Sequence, residues 1–121
     1  MDLAPTFIAM AAAHYPDDES IQPMRGESMR AFLTGSSDAV HGQEYISTQF
    51  HRNRAYLRQG RWKITQLELP FDEANFALYD LSSDPGETID LSHQQPEKRA
   101  ELIELWRQKR KELGIVLPQD L

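Results

Sequence analysis

Residues 54–64 read RAYLRQGRWKI, and this stretch decides the fold of the chain. Strand-forming residues lie on both sides of Gln59-Gly60, a pair that is typical of the tight turn of a β-hairpin. Apolar side chains alternate with basic ones, which predicts one covered and one open face. The apolar face would hold Ala55, Leu57, Trp62 and Ile64, and the basic face Arg54, Arg58, Arg61 and Lys63.

Segments on both sides of this hairpin extend the predicted sheet over 44–83. Tyr45–Phe50 is rich in strand formers, and Phe76–Leu81 is apolar on both faces, as in a central strand with both faces covered. Asp84–Glu87 has the composition of a tight turn, and it leads to a predicted helix over 95–114. The apolar stripe of that helix consists of Leu102, Leu105, Trp106 and Leu113.

Residues 1–35 are predicted to form a helical lead-in. Asp2 is expected to cap an amphipathic helix that ends near Ala13, and a second short helical segment is expected over Ser28–Leu33. The apolar face of the first helix would hold Leu3, Phe7, Ile8 and Met10. We therefore predict a single α+β domain over 1–121: a small antiparallel sheet of about four strands packed against a long C-terminal helix, preceded by an N-terminal amphipathic helix.

Composition limits the partners of the chain. Its 121 residues carry a net charge of -6, which argues against a general nucleic-acid binder because phosphate binding needs a basic surface. The longest apolar run, Phe7–Ala13, is much shorter than the roughly 20 residues that cross a membrane. We therefore expect a soluble protein without nucleic-acid or membrane partners, in the cytoplasm or the periplasm, and the sequence does not decide between these compartments.

Four segments carry a family resemblance that covers most of the chain. In order, they are Asp2–Thr6, similar to D-x-x-P-T; Gly26–Met29 with Leu33–Gly35, similar to G-x-S-L…L-x-G; Arg54–Ile64, similar to R-A-h-R-x-G-x-W-K-h, where h is apolar; and Leu78–Leu81 with Asp84–Glu87 and Asp90-Leu91, similar to L-Y-D-L…D-P-x-E…N-L. Each motif is short and has a structural role as a helix start, hairpin, strand or turn. Their order and spacing together resemble the C-terminal portion of a bacterial-type arylsulfatase, a sulfatase of the alkaline-phosphatase-like superfamily.

The resemblance implies a chemistry whose residues we do not find in this chain. Sulfatases hydrolyse sulfate esters with a formylglycine, made from Cys or Ser in a Cys/Ser-x-Pro-x-Arg motif, and with a calcium-type divalent cation. Those residues lie in the N-terminal catalytic domain of the family. The chain has no cysteine. The segment Ser20–Arg25 has one residue too many between its Ser and its Pro to match the motif, and Ser83–Glu87 has Glu where the motif needs Arg. We therefore predict no catalytic, cofactor-binding or metal-binding residue here, and a chain that is inactive alone.

Two other patterns give only weak support for a site. Asp17-Asp18 could be metal ligands, but the pair follows His14-Tyr15-Pro16 in a polar turn, whereas the acidic pair of the family follows a buried strand. The four histidines, His14, His41, His51 and His93, show no ligand spacing. A Ser-His-Asp triad stays open on sequence alone, although no nucleophile-elbow motif supports one.

One basic stretch is the candidate for an interface. Between His51 and Lys63 there are five basic residues and no acidic one, so the rest of the chain has 8 basic against 19 acidic residues (13 basic residues in all, less these five). Three interpretations stay open: a solvated hairpin face, a surface that docks the catalytic domain or borders an anionic substrate, and, least favoured, an RNA-binding surface. The interface or anion-facing candidates are Arg52, Arg54, Arg58, Arg61 and Lys63.

These observations leave three hypotheses for the function. The first is a sulfatase C-terminal subdomain whose partner is the catalytic domain of the parent protein, with a structural role and a place at the substrate entrance. The second is a stand-alone module, derived from a sulfatase, that associates with itself or a partner. The third is a small enzyme with an unrecognised site, which the missing motif makes the weakest hypothesis. In isolation we expect a homo-oligomer that covers Phe7, Ile8 and Met10. The substrate of the parent, and whether Met1 is a natural start, stay open.

Overall fold

The computed structural model describes residues 1–18, 20–117 and 120, and it forms two compact units that divide after Gly42. The first unit is helical and the second contains the sheet and the long helix. The prediction that 1–121 fold as one domain stays a prediction. Within the described ranges, no helix combines the length and the apolar character needed to cross a membrane.

The first unit contains helices α1, Leu3–Met10, and α2, Arg30–Leu33. The helix α1 is shorter than the sequence predicts, because the chain turns after it and Ala12 adopts a left-handed conformation with φ of 50°. The expected cap is also wrong: the side chain of Asp2 makes no capping bond to α1. Its carboxylate instead accepts a hydrogen bond from the backbone N–H of Glu27 at 3.1 Å, so it joins two segments that are distant in sequence.

The second unit is built on a four-stranded antiparallel sheet in which every strand pairs with the next one along the chain. The strands are β1, Ile46–His51; β2, Arg54–Gln59; β3, Trp62–Gln66; and β4, Ala77–Asp80. The register places Leu57, Ile64 and Leu78 side by side across three strands, and all three side chains are fully buried. The predicted hairpin and the α+β fold class are therefore confirmed.

The strand β4 lies at the edge of the sheet, so the expectation that it is central is wrong. The segment that follows β4 covers its free edge. The backbone N–H of Leu78 donates to Asp90 Oδ1 at 3.0 Å, and the carbonyl of Leu78 accepts from the N–H of Leu91 at 2.8 Å. These bonds satisfy backbone groups that an edge strand would otherwise leave open.

The long helix α3, Pro96–Glu112, packs on one face of this sheet, with Pro96 in its first turn as the sequence predicts. Trp106 is fully buried and contacts Phe71 and Phe76, each with ring centroids 5.5 Å from those of Trp106. Phe71 belongs to the connection between β3 and β4, so part of this connection enters the core. At the N-terminal end of α3, Arg99 Nε donates to the carbonyl of Phe76 at 2.7 Å and ties the helix to the start of β4.

Candidate functional site

The basic residues predicted as an interface lie mainly on the face of the sheet that does not carry the core, here called the outer face. Its side chains alternate along each strand with the core side chains, and apart from the buried Thr65 they are exposed or half-buried. Four strands contribute to it through Ser47, Gln49, His51, Arg54, Tyr56, Arg58, Lys63, Thr65, Ala77 and Tyr79.

Lys63 and Arg58 are direct cross-strand partners on this face. Like charges in such positions repel each other, and the structure offsets this with an acidic neighbour for Lys63. Its Nζ lies 2.5 Å from Glu87 Oε1 and 5.4 Å from the centroid of the Tyr56 ring. Arg58 is exposed, and its Nε donates to the carbonyl of Gly60 at 2.9 Å.

At the other end of β2, Arg54 faces His51 of β1. Arg54 Nε donates to the carbonyl of Leu67 at 3.0 Å, which fixes the position of the guanidinium group. Arg52 is in the turn between these two strands, in a left-handed conformation with φ of 49°. The side chains of Arg54 and His51 are both exposed, so both can meet a ligand from solvent.

The fifth predicted residue, Arg61, is separated from this group. It lies in the turn between β2 and β3, where its guanidinium is 4.8 Å from the centroid of the Trp62 ring. Its Nε lies 3.6 Å from a carboxylate oxygen of Asp80, a buried side chain opposite Trp62. Arg61 therefore acts as the partner of a core-side carboxylate, and the pKa of Asp80 is lowered, first by its hydrogen bond from Ser82 and also by Arg61.

The outer face carries two adjoining cavities, both lined by Thr65 and Leu67. The smaller, here called the basic pocket, has a volume of about 280 Å³, and its polar lining consists of Gln49, His51, Arg54, Tyr56, Lys63, Thr65 and Glu87. The larger, here called the polar pocket, has a volume of about 610 Å³. Sequence reasoning found Arg54 and Lys63 but missed Gln49 and His51, although the period of two in β1 could have placed them on this face.

The polar pocket is lined mainly by hydrogen-bonding side chains, among them Tyr79, Asp90, His93 and Arg99. Burial raises the pKa of Tyr79, so its hydroxyl keeps its proton at neutral pH. Burial also raises the pKa of Asp90, but hydrogen bonds from Leu78 and Ser92 outweigh it and leave the pKa below its ordinary value. No sequence pattern indicated this pocket, because its side chains come from β3, β4, the connection between them, and the chain before and within α3.

The first unit contains a separate cluster of titratable groups that the spacing of the histidines did not indicate. His41 Nε2 lies 2.8 Å from Asp2 Oδ2, and His41 Nδ1 lies 3.5 Å from Glu27 Oε2. The hydrogen bond with Asp2 raises the pKa of His41, and Glu27 adds to that effect. The same bond lowers the pKa of Asp2. The cluster joins the start, middle and end of this unit.

The residues weighed as nucleophile or metal ligands take structural positions. The Asp18 carboxylate accepts hydrogen bonds from the backbone N–H and the hydroxyl of Ser20, and the hydroxyl of Ser83 donates to the carbonyl of Asp80 at 3.3 Å. Asp84, next to Ser83, accepts from the N–H of Thr88 at 2.7 Å, within the predicted turn. Throughout the ranges that the structure describes, no group of three or more His, Asp or Glu side chains is placed to hold a metal ion.

Comparisons with known proteins agree with the resemblance to sulfatases. No family model matches the chain. An uncharacterized sulfatase of Schizosaccharomyces pombe is 26% identical over 99% of this chain, which spans only 22% of that protein. A solved structure of a Bacteroides thetaiotaomicron protein named a sulfatase is 24% identical with a TM-score of 0.64, over 92% of this chain and 24% of its own. A second solved structure, of a protein in complex with its substrate D-glucosamine-2-N,6-O-disulfate, is 21% identical with a TM-score of 0.63, over 91% of this chain and 23% of its own.

The coverage is as informative as the similarity. Nearly all of this chain matches, but it spans only about a quarter of the length of these relatives. Such coverage is consistent with the C-terminal portion that the four sequence segments indicate. The predicted resemblance to the sulfatase family is therefore confirmed.

Proposed function

We propose that the chain is the C-terminal subdomain of a larger arylsulfatase-like sulfuric ester hydrolase. In this proposal it completes the fold beside a catalytic domain and borders the substrate entrance, while residues outside this sequence cleave the sulfate ester. The observation that carries the proposal is the coverage: 92% of the chain aligns with 24% of a sulfatase structure. The missing formylglycine motif supports the same conclusion, because the 121 residues include no cysteine.

Helix α1 supports the docking part of the proposal, because it buries a polar residue and exposes its apolar ones. Thr6 is only 2% exposed, and its hydroxyl donates to the carbonyl of Asp2 and accepts from the N–H of Met29. Leu3, Phe7 and Met10 follow at helical spacing and are 61%, 65% and 53% exposed. An apolar stripe of this kind is typical of a surface that another protein element covers.

The experiment compares self-association of the purified chain with that of two variants by analytical ultracentrifugation over a range of concentrations. Phe7→Ser should weaken association, because it removes the most exposed ring of the stripe. Ile89→Ser is the matched control, since Ile89 is an apolar side chain of the second unit that is also largely exposed. If the wild-type chain is a strict monomer, or if both variants behave alike, the stripe of α1 is not an interface.

The same exposed stripe also favours a second candidate function, a stand-alone module that binds itself through α1. This alternative predicts a dimer of fixed stoichiometry at all working concentrations. A subdomain that lacks its catalytic domain predicts weak association that continues to larger species as the concentration rises. Sedimentation therefore separates the two candidates in the same experiment.

A further inference from the structure

We propose that the basic pocket on the outer face of the sheet binds a tetrahedral oxyanion, a sulfate or phosphate group. A free ion and such a group on a small polar molecule both fit this proposal, because they present the same charged oxygens. The inference goes beyond the proposed function and does not depend on it, since it rests only on contacts within the second unit.

The charges of the lining residues favour an anion. Among the described residues that line this pocket, Arg54 and Lys63 are cationic and Glu87 is acidic. Glu87 is already engaged with Lys63 at 2.5 Å. The chain as a whole has a net charge of -6 and repels anions. The local excess of cations in the basic pocket attracts them.

The two main cations are held in place before any ligand arrives. Arg54 is fixed through Nε by the carbonyl of Leu67, and within the described part of the chain its two terminal nitrogens have no hydrogen-bond partner. The side chain of Lys63 is only 21% exposed and is held by Glu87 and the Tyr56 ring. Ordered donors lose less conformational entropy on binding than free surface side chains do.

The donors come from three strands, which suits a ligand with oxygens in several directions. His51 belongs to β1, Arg54 to β2 and Lys63 to β3. Gln49 adds an amide to the same pocket. A carboxylate has two oxygens in one plane, whereas sulfate and phosphate present more oxygens in a tetrahedron and can engage more of these donors at once.

The adjoining polar pocket offers room for the rest of a larger ligand. It continues from Thr65 and Leu67 and is lined by groups that can bond to hydroxyls, including Asn75, Ser92 and His93. With a volume of about 610 Å³, it can hold a body the size of a single sugar or a similar polar group. A sulfate or phosphate ester could therefore place its anionic end in the basic pocket and its polar body here.

A solvated basic surface would look different, and Arg58 provides the comparison. It is exposed on the same strand as Arg54 and carries the same charge, but it does not line the basic pocket. Arg54→Gln and Arg58→Gln therefore change the net charge equally and differ only in position. Because both residues are exposed, both variants should keep the fold, and circular dichroism spectra and melting temperatures check this.

The test is an NMR titration of the full chain with sodium sulfate, at constant ionic strength maintained with chloride. We expect saturable shifts of the backbone amides around Gln49–Arg54 and Lys63–Leu67. Arg54→Gln should weaken binding about tenfold, which corresponds to about 1.4 kcal/mol, and Arg58→Gln should weaken it less than about twofold. The proposal is overturned if the shifts do not saturate, if both variants weaken binding equally, or if acetate binds as tightly as sulfate.

A second arm of the titration distinguishes the two sources of the anion. Glucose 6-sulfate should bind more tightly than inorganic sulfate if a polar body occupies the polar pocket. His93→Ala, which changes only that pocket, should then reduce the affinity for the ester and leave that for inorganic sulfate unchanged. Equal affinities of both ligands, in both proteins, would assign the basic pocket to the free ion. Failure of either arm would leave the proposed sulfatase role unaffected.

Discussion

The Asp90 carboxylate accepts a hydrogen bond at the free edge of β4, where a fifth strand would otherwise pair. Removing this carboxylate should therefore destabilise the second unit. Its Oδ1 accepts hydrogen bonds from the N–H of Leu78 at 3.0 Å and from the N–H of Ser92 at 2.8 Å. Leu78 is fully buried, so Asp90→Ala would leave its N–H without an acceptor in the interior. An unsatisfied buried donor costs about 1–3 kcal/mol, and the lost bond to Ser92 adds to this. We expect the free energy of unfolding to fall by about 2–3 kcal/mol.

Urea denaturation followed by circular dichroism at neutral pH measures this loss. Asp90→Asn is the matched control, because its amide oxygen can still accept the hydrogen bond from Leu78. It should lose only about 1 kcal/mol, since the acceptor remains but its charge does not. If Asp90→Ala unfolds at the same urea concentration as the wild type, the edge of β4 does not depend on this side chain and the reasoning is refuted.

The pH dependence of the same variants provides a second check. The pKa of Asp90 lies below its ordinary value of 3.8, because the hydrogen bonds outweigh the effect of burial. A carboxyl group of this kind stabilises the fold fully above its unfolded pKa and loses the contribution as the pH falls through its folded pKa. The difference in stability between the wild type and Asp90→Ala should therefore shrink below about pH 4.

Two further predictions concern the core and the first unit. Trp106→Ala should lower the free energy of unfolding by about 3–5 kcal/mol, because the fully buried side chain of Trp106 contacts Phe71 and Phe76. Thermal denaturation measures this loss. A loss below about 1 kcal/mol would contradict the described core. The pKa of His41 should lie above its ordinary value of 6.5 in an NMR titration and fall in Asp2→Asn. Because its folded pKa is raised, the contribution of His41 to stability is fully present below the unfolded pKa and is lost as the pH rises through the folded value. A wild-type His41 pKa at or below 6.5 would contradict the described contact.

Local patterns were sufficient for the hairpin and the long helix. The alternation over Arg54–Ile64 fixed which side chains face the core, since a strand places successive residues on opposite faces. Pro96 and the apolar stripe that includes Trp106 located α3. These features depend on interactions between residues that are close together in sequence, so a short stretch of sequence is enough to predict them.

Most of the features that sequence reasoning missed depend on partners that are distant in sequence. The apolar composition of Phe76–Leu81 suggested a central strand, but no pattern reveals that Asp90 and Leu91 satisfy its open edge. The capping role expected for Asp2 would involve only residues next to it in sequence, whereas its side chain bonds to the distant residues Glu27 and His41. The cavities of the outer face combine several strands and loops, so only the basic residues of the hairpin gave an indication of them.

The most direct test of the central claim is an assay of the purified chain with a chromogenic aryl sulfate and added calcium, at high protein concentration. We expect no hydrolysis above that of the buffer, because the residues that cleave the sulfate ester are proposed to lie outside this sequence. Hydrolysis that persists through repurification would mean that these 121 residues carry a catalytic site of their own. That result would contradict the proposal that the chain is a catalytically incomplete part of a sulfatase.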